Sequence, residues 1–389
     1  MLNVKYFLVN IFLIIFSTTL CICLSAYILY FYALASGALI ENNYICEPRP
    51  FQWVEEPVGG YRNKPNFRHW AFGRIDGRTN AEGFRSQNEF SLKAAKGVIR
   101  IVGLGDSVME GARVNVDGSF LGILESIIKA QGRAVETINA GVCGYSTYQE
   151  RCFLERYIVQ LNPDIVLINF CPNDLLPSED PFRNSSRIIV RYLEGLLGNS
   201  QHQFSEIERS KINDAIALLR GMTDLRVFLK SVRQDQALEQ ILQRVLIKIP
   251  ILEMKHIADK NKIKLVYVFI SPGNNDLKDF LKSAGVDYVD CSLLLADEIR
   301  DVSPLQASRL IDIAVRFYRY PVIRNIISFT SLGKIDPVIA IDRISQLNEF
   351  RFQHQHRYWI DGAGHPSRRG NLLIAQAIAQ YLKRGALIQ

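Results

Sequence analysis

Three short apolar runs, Val98–Leu104 (VIRIVGL), Asp164–Phe170 (DIVLINF) and Ile263–Ile270 (IKLVYVFI), constrain this chain more than any other feature. Each is strand-sized and largely continuous in apolar residues, which suits a strand covered on both faces. Shorter runs at Val135–Asn139 and Val286–Val289 read the same way. Helical spacing fills the intervals at Ser119–Ala130 and Thr147–Leu161, with Asn162-Pro163 as a break before the next strand, and returns at Arg369–Lys383. Strands alternating with helices predict an α/β fold, a three-layer α/β/α sandwich around a mostly parallel central sheet.

Two stretches depart from this rhythm. Residues 178–260 carry helical spacing at Asn213–Arg220 and Gln236–Ile249 with charges on the opposite face, and are expected to form a helical insertion. A second insertion is expected at 296–357, whose RLIDIAVRFYRYPVIRNIISF segment is broken at Pro321. Within it, Arg316-Phe317-Tyr318-Arg319-Tyr320 interleaves basic and aromatic side chains, as a packed helix with snorkelling arginines does. Both insertions are expected to wall or cover the sheet edge. Residues 41–96 mix Pro, Gly, Asn and aromatic residues without sustained periodicity and are expected to pack on the main domain, 97–389.

No residue between Lys5 and Glu41 is charged. That apolar run exceeds the ~20 residues a membrane-spanning helix needs and the roughly 7–15 of a signal-peptide core. It predicts an uncleaved signal-anchor over residues 1–40, although Ala33-Leu34-Ala35 also resembles a cleavage site. Lys5 at the inner end, with Glu41 and Glu47 beyond the outer one, places the N-terminus in the cytoplasm and the remaining chain outside it, periplasmic in a diderm bacterium. The seven cysteines show no CxxC spacing, so neither a zinc site nor a disulfide framework is indicated; a single bridge involving Cys143, Cys152 or Cys171 is compatible with that compartment. The formal charge of +7 suits proximity to anionic lipid or polysaccharide and does not bear on the fold.

Four blocks carry chemistry. Gly103-Leu104-Gly105-Asp106-Ser107-Val108 stands where a buried strand turns toward a helix, the edge at which open α/β sheets bind ligands. A serine there exposes its hydroxyl while its own N–H faces a developing oxyanion; a capped tight turn gives the same short string. Asn139-Ala140-Gly141-Val142-Cys143-Gly144-Tyr145-Ser146 closes the next strand, and Cys171-Pro172-Asn173-Asp174 the third, bringing an amide side chain to the same edge. Taken singly, either also reads as an ordinary turn. Asp361-Gly362-Ala363-Gly364-His365-Pro366-Ser367 precedes the last helix. A serine hydroxyl is a weak nucleophile until a base removes its proton, and a carboxylate usually holds that base in the correct tautomer. His365 and Asp361 have the chemistry for those two roles.

In this order the blocks resemble the SGNH/GDSL hydrolase family over Val98–Asp174 and Trp359–Leu382. The resemblance implies the flavodoxin-like α/β/α fold, Ser107 as nucleophile, His365 and Asp361 as the rest of a triad, and an oxyanion hole of the Ser107 N–H, Gly144 and Asn173. The sequence departs from the family at DxxxH, where DxxH is usual, and at Pro172, where glycine is common. Asn80-Ala81-Glu82-Gly83-Phe84-Arg85 resembles an NxxGfR element of anchored bacterial members, read here as structural, with Arg85 pairing a carboxylate near the sheet edge. The implied activity is an extracytoplasmic serine esterase acting through an acyl-serine on O-acyl groups of a glycan or another small ester. An acyltransferase using the same site, and a membrane-tethered glycan-binding protein without catalysis, remain open. Neither a cofactor nor nucleic acid is called for: Val108 replaces the third glycine of GxGxxG, and the spacing of His354, His356, Asp361 and His365 matches no metal motif.

Overall fold

The structure is a computed structural model of the 389-residue chain. It describes residues 16–22, 24–25, 53–67, 70–71, 75–86, 88–112, 114–171, 174–177, 184–222, 225–295 and 365–388. The chain divides into two units, Met1–Tyr44 with Asp301–Gln355, and Ile45–Arg300 with His356–Gln389. Of the first unit, the described residues are a helical stretch with exposed side chains at 16–22 and 24–25. The rest of the apolar N-terminal run and the expected insertion at 296–357 lie outside the described residues. Among the described residues no helix is long and apolar enough to cross a membrane.

The second unit begins with an antiparallel hairpin, β1 (Trp53–Glu56) and β2 (Gly60–Asn63), and a minimal strand pair, β3 (Trp70–Ala71) and β4 (Ile75–Asp76). The apolar runs then become β5 (Ile99–Leu104), β6 (Val135–Asn139), β7 (Ile165–Phe170), β8 (Lys264–Phe269) and β9 (Asp287–Asp290). All five are parallel, in the order β6-β5-β7-β8-β9. The chain therefore reverses its direction of travel across the sheet between β5 and β7, the crevice where such sheets bind ligands. Gly103 of β5 is level with Asn139 of β6 and Leu167 of β7, so the ends of these three strands open onto one edge.

Alternate residues of each strand feed two different cores, as the two-residue period requires. Val102, Leu104, Val166, Ile168, Leu265, Tyr267 and Phe269 face one layer. There they meet Phe153 of α3 (Thr147–Phe153), with the π and 3-10 turns that prolong that helix to Leu161, and Met254 and Ala258 of α8 (Ile249–Lys260). Ile101, Ile165, Leu167, Val266 and Val268 face the other layer. It is built from Phe120, Leu121, Leu124 and Ile128 of α2 (Phe120–Ala130) and from Ile374, Ile378 and Leu382 of α10 (Arg368–Arg384). At ~25 cal/mol per Å2 of apolar surface removed from water, this double-sided burial dominates the stability of the sheet.

Between β7 and β8 lie α4 (Ser185–Gly198), α5 (Glu206–Gly221), α6 (Leu225–Val232) and α7 (Gln236–Gln243), which share a separate core around Leu193, Ile212, Leu219, Phe228 and Leu246. The helix expected at Gln236–Ile249 runs on instead through a π turn at Arg244–Lys248 into α8. Pro250 lies just after that turn: proline cannot donate to the i−4 carbonyl and crowds it, and the wider π turn makes the room. A further helix, α9 (Asn275–Ser283), joins β8 to β9. Cys143, Cys152, Cys171 and Cys291 are free thiols, so the bridge that the compartment would permit is not formed among them.

Candidate active site

Ser107 is the first residue of α1 (Ser107–Glu110), a single turn that follows β5 directly. Asp106 caps it: its side chain accepts the Val108 N–H at 2.9 Å and also the Asn169 side-chain amide at 2.9 Å. The cap turns the chain sharply from strand to helix and leaves the Ser107 N–H among the first-turn amides that have no intrahelical acceptor. His365 precedes α10, whose N-cap is Ser367. Its Nε2 lies 2.9 Å from Ser107 Oγ, although the two residues are 258 positions apart in the chain. Both side chains are partly accessible, as a nucleophile and base that meet a substrate must be.

The loop after β6 is pinned from three directions. Ala140 and Val142 donate to the carbonyls of Gly103 and Gly105 at 2.8 and 2.9 Å, continuing the sheet pairing past the strand end. Asn139 donates through Nδ2 to Met109 O at 2.8 Å and accepts the Gly141 N–H at 3.0 Å. From the N-terminal hairpin, Asn63 Nδ2 bonds Gly141 O at 3.0 Å and the buried Tyr61 hydroxyl bonds Cys143 O at 2.9 Å. Gly141 has no room for a side chain: a Cβ there would lie 2.2 Å from Glu110 N. Gly144 adopts φ 81°, which only glycine takes without strain. The hairpin, which lies upstream of every motif, is thus a buttress of the loop.

Cys171 and Asp174, the first and last residues of the third block, are tied together. Cys171 N–H donates to Asp174 Oδ2 at 2.8 Å, Asp174 N–H donates to Cys171 O at 3.0 Å, and Thr147 N–H to Asp174 O at 3.0 Å. Asn173, expected as an oxyanion donor, and Asp361, expected as the triad acid, both lie outside the described residues. Asp106, Cys171 and Asp174 form the one group among the described residues with ligand atoms close enough for a metal ion. Asp106 Oδ1 and Asp174 Oδ2 are engaged as above and Cys171 Sγ accepts from the Asn169 amide at 3.3 Å.

Arg85 is buried, and its guanidinium bonds the backbone carbonyls of Glu110, Gly111 and Val114. The guanidinium thus clamps the backbone at the end of α1, and its charge also acts on the buried carboxyl of Glu110, in keeping with the structural role expected from the sequence. Asn80 of the same block closes its own turn by accepting the N–H groups of Glu82 and Phe84 at 3.1 and 2.9 Å. Glu110 was missed by sequence reasoning. It is buried three residues after Ser107, and burial raises its carboxyl to about 7, against the pull of Arg85, of His365 and of the Cys143 N–H. Its signal in the sequence was an acidic residue within the nucleophile's own helical turn. A groove of about 790 Å3 on the helical insertion, lined among others by His202, Arg244, Lys248 and Phe280, includes neither Ser107 nor His365.

A serine hydroxyl bonded to an imidazole at the carboxyl edge of a parallel sheet is the arrangement of an α/β serine hydrolase. The chain belongs to the GDSL-like lipase/acylhydrolase family, whose model matches residues 104–309, and it is a hydrolase acting on ester bonds. No curated protein matches it in sequence. Among solved structures it is similar to a family 3 carbohydrate esterase of Clostridium thermocellum (14% identity, 75% of this chain and 100% of that one, TM-score 0.35). It is also similar to a lipase/acylhydrolase from Enterococcus faecalis (13%, 74% and 96%, TM-score 0.33) and a GDSL-like lipase from Bacteroides thetaiotaomicron (12%, 74% and 88%, TM-score 0.33). At these scores the likeness says nothing about the substrate.

Proposed function

We propose that the chain is an extracytoplasmic esterase, anchored by its N-terminal apolar run, that removes O-acyl groups, acetyl first among them, from a glycan or a comparable small ester. The observation that carries the mechanism is the 2.9 Å contact between His365 Nε2 and Ser107 Oγ. His365 takes the hydroxyl proton as Ser107 Oγ bonds the acyl carbon, and the carbonyl electrons pass to the oxygen, which the N–H groups of Ser107 and Gly144 and the Asn173 amide receive. The imidazolium then returns its proton to the departing alcohol. Water repeats the sequence on the acyl-serine and releases the acid. Asp361 is assigned to orient His365. The glycan follows from the proposed position, since acylated envelope polysaccharides are among the esters within reach of a domain tethered outside the cytoplasm.

The test is hydrolysis of 4-nitrophenyl acetate by the full chain, alongside Ser107→Ala and His365→Ala. Each substitution is expected to lower kcat by at least about 10^3-fold with an unchanged circular-dichroism spectrum. Activity surviving Ser107→Ala would remove the nucleophile assignment. Offering a glycan acceptor with the ester and separating free acid from acylated glycan tells hydrolysis from transfer.

A further inference from the structure

The peptide between Cys143 and Gly144 is held from the N-terminal hairpin by a single residue. Tyr61 of β2 is fully buried, and its hydroxyl donates to Cys143 O at 2.9 Å. The hydroxyl of Tyr145, on the other side of Gly144, reaches back to donate to the Tyr61 carbonyl. The two rings meet edge to face with centroids 5.4 Å apart, and Trp53 of β1 packs on Tyr61 in the same manner at 5.5 Å. Two bonds to one hairpin residue therefore bracket Gly144. A phenol buried this deeply is costly unless its hydroxyl is bonded, so phenylalanine would serve at Tyr61 if packing were all that the position required.

A trans peptide is planar, with its C=O and N–H pointing in opposite directions, and among the described residues no peptide bond is cis. The Cys143 carbonyl and the Gly144 N–H belong to one such plane. The Tyr61 hydroxyl that fixes the carbonyl thus also fixes the N–H, directed away from the hairpin, at a glycine whose backbone is otherwise the freest to rotate. We propose that Tyr61, held in turn by Tyr145, is a positioning residue of the oxyanion hole: its hydroxyl sets the orientation of the Cys143–Gly144 peptide and, by polarising the carbonyl, makes the Gly144 N–H a stronger donor. The proposal rests on the assignment of Ser107 as nucleophile and Gly144 as oxyanion donor above. The negative oxygen develops only as the tetrahedral states of acyl transfer form, so a donor aimed in advance lowers the barrier and leaves substrate binding unchanged.

The experiment measures kcat and KM for 4-nitrophenyl acetate, and the Ki of phenylboronic acid, for the full chain, Tyr61→Phe and Tyr145→Phe. Phenylboronic acid adds to a nucleophilic serine as a tetrahedral anion and so mimics the state that an oxyanion hole receives. Rates are expressed per site labelled by a fluorophosphonate, so that a loss of folded enzyme does not enter. Tyr61→Phe is expected to lower kcat about tenfold, short of the roughly 10^2–10^3-fold of an oxyanion donor removed outright, and to raise the boronate Ki by a similar factor. KM should stay within about twofold of the parent's. Tyr145→Phe, which loosens the hairpin end of the same link, should move kcat and Ki in the same direction by less. A parent-like kcat and Ki in Tyr61→Phe, or a fall in labelled sites alone, overturns the proposal; if Tyr61→Phe does not fold, Tyr145→Phe decides by the same criteria. The parent keeps the two readings apart: no labelling and no boronate inhibition defeats the assignment of Ser107, whereas both in the parent beside an unchanged Tyr61→Phe defeats only the role of Tyr61.

Discussion

Burial raises the pKa of three buried carboxyls in this unit, but only one of them has cationic neighbours to counter the rise. Burial raises the Glu110 carboxyl to about 7, with Asp106 pushing the same way, while the Arg85 guanidinium and the His365 imidazole act to lower it. Glu150 of α3 and Asp174, after β7, are as deeply buried, yet the charges acting on them are other carboxylates: Asp106 on Glu150, and Glu150 and Asp106 on Asp174. Both Glu150 oxygens and Asp174 Oδ1 are without a hydrogen-bond partner among the described residues. Burial first, then this mutual repulsion, pushes both groups well above the usual carboxylate range. The buried Tyr267 hydroxyl is raised by burial and by the same pair. Burial alone thus does not decide whether a carboxyl is charged; the sign of its neighbours does. Glu110 thus has cations to offset part of the cost of its burial, whereas Glu150 and Asp174 have only each other and Asp106.

Arg85→Met breaks the comparison most directly, because it makes the surroundings of Glu110 resemble those of Glu150. It also strips a charged donor from the carbonyls of Glu110, Gly111 and Val114. A loss of about 3–5 kcal/mol in urea unfolding is expected, and a change below about 1 kcal/mol, the worth of an exposed ion pair, would mean the clamp is dispensable. Glu150→Gln probes the other side. An acid whose pKa is raised by folding is most favourable to the folded state below its unfolded value, near 4.5, and that advantage is lost as the pH rises toward the folded value. The parent should therefore lose stability as the pH rises above about 4.5, and Glu150→Gln should flatten that slope. Equal slopes would show that the pair is not held neutral. Glu155→Gln supplies the exposed control: its ion pair with Arg151 spans 2.8 Å on the surface of the prolonged α3. Its loss is expected to cost below about 0.5 kcal/mol and to vanish in high salt.

Much of this was legible beforehand. Five runs of apolar residues became five parallel strands with boundaries shifted by a residue or so, because a strand buried on both faces leaves its mark in contiguous sequence. Gly141 and Gly144 were conspicuous for the same local reason, each occupying a position that a side chain or an ordinary φ forbids. Less visible was how helices run together: the turn at Arg244–Lys248 joins two segments that periodicity alone would have ended near Pro250. The role of the hairpin β1–β2 was hidden as well, since Tyr61 and Asn63 reach a loop about eighty residues later.

What the sequence determined by itself was the kind and sequential order of the elements, and with them the placement of Ser107 at the end of a strand and His365 before the last helix. Chain stiffness, turn chemistry and the length of an apolar run act over a few residues, so they can be read in line. Tertiary structure alone decided the strand order that opens the crevice between β5 and β7, the meeting of Ser107 with His365, and the charge that each buried carboxyl can carry. Those outcomes depend on which distant groups share a small volume from which water is excluded, and there Coulomb interactions and desolvation are set by spatial neighbours rather than by neighbours along the chain.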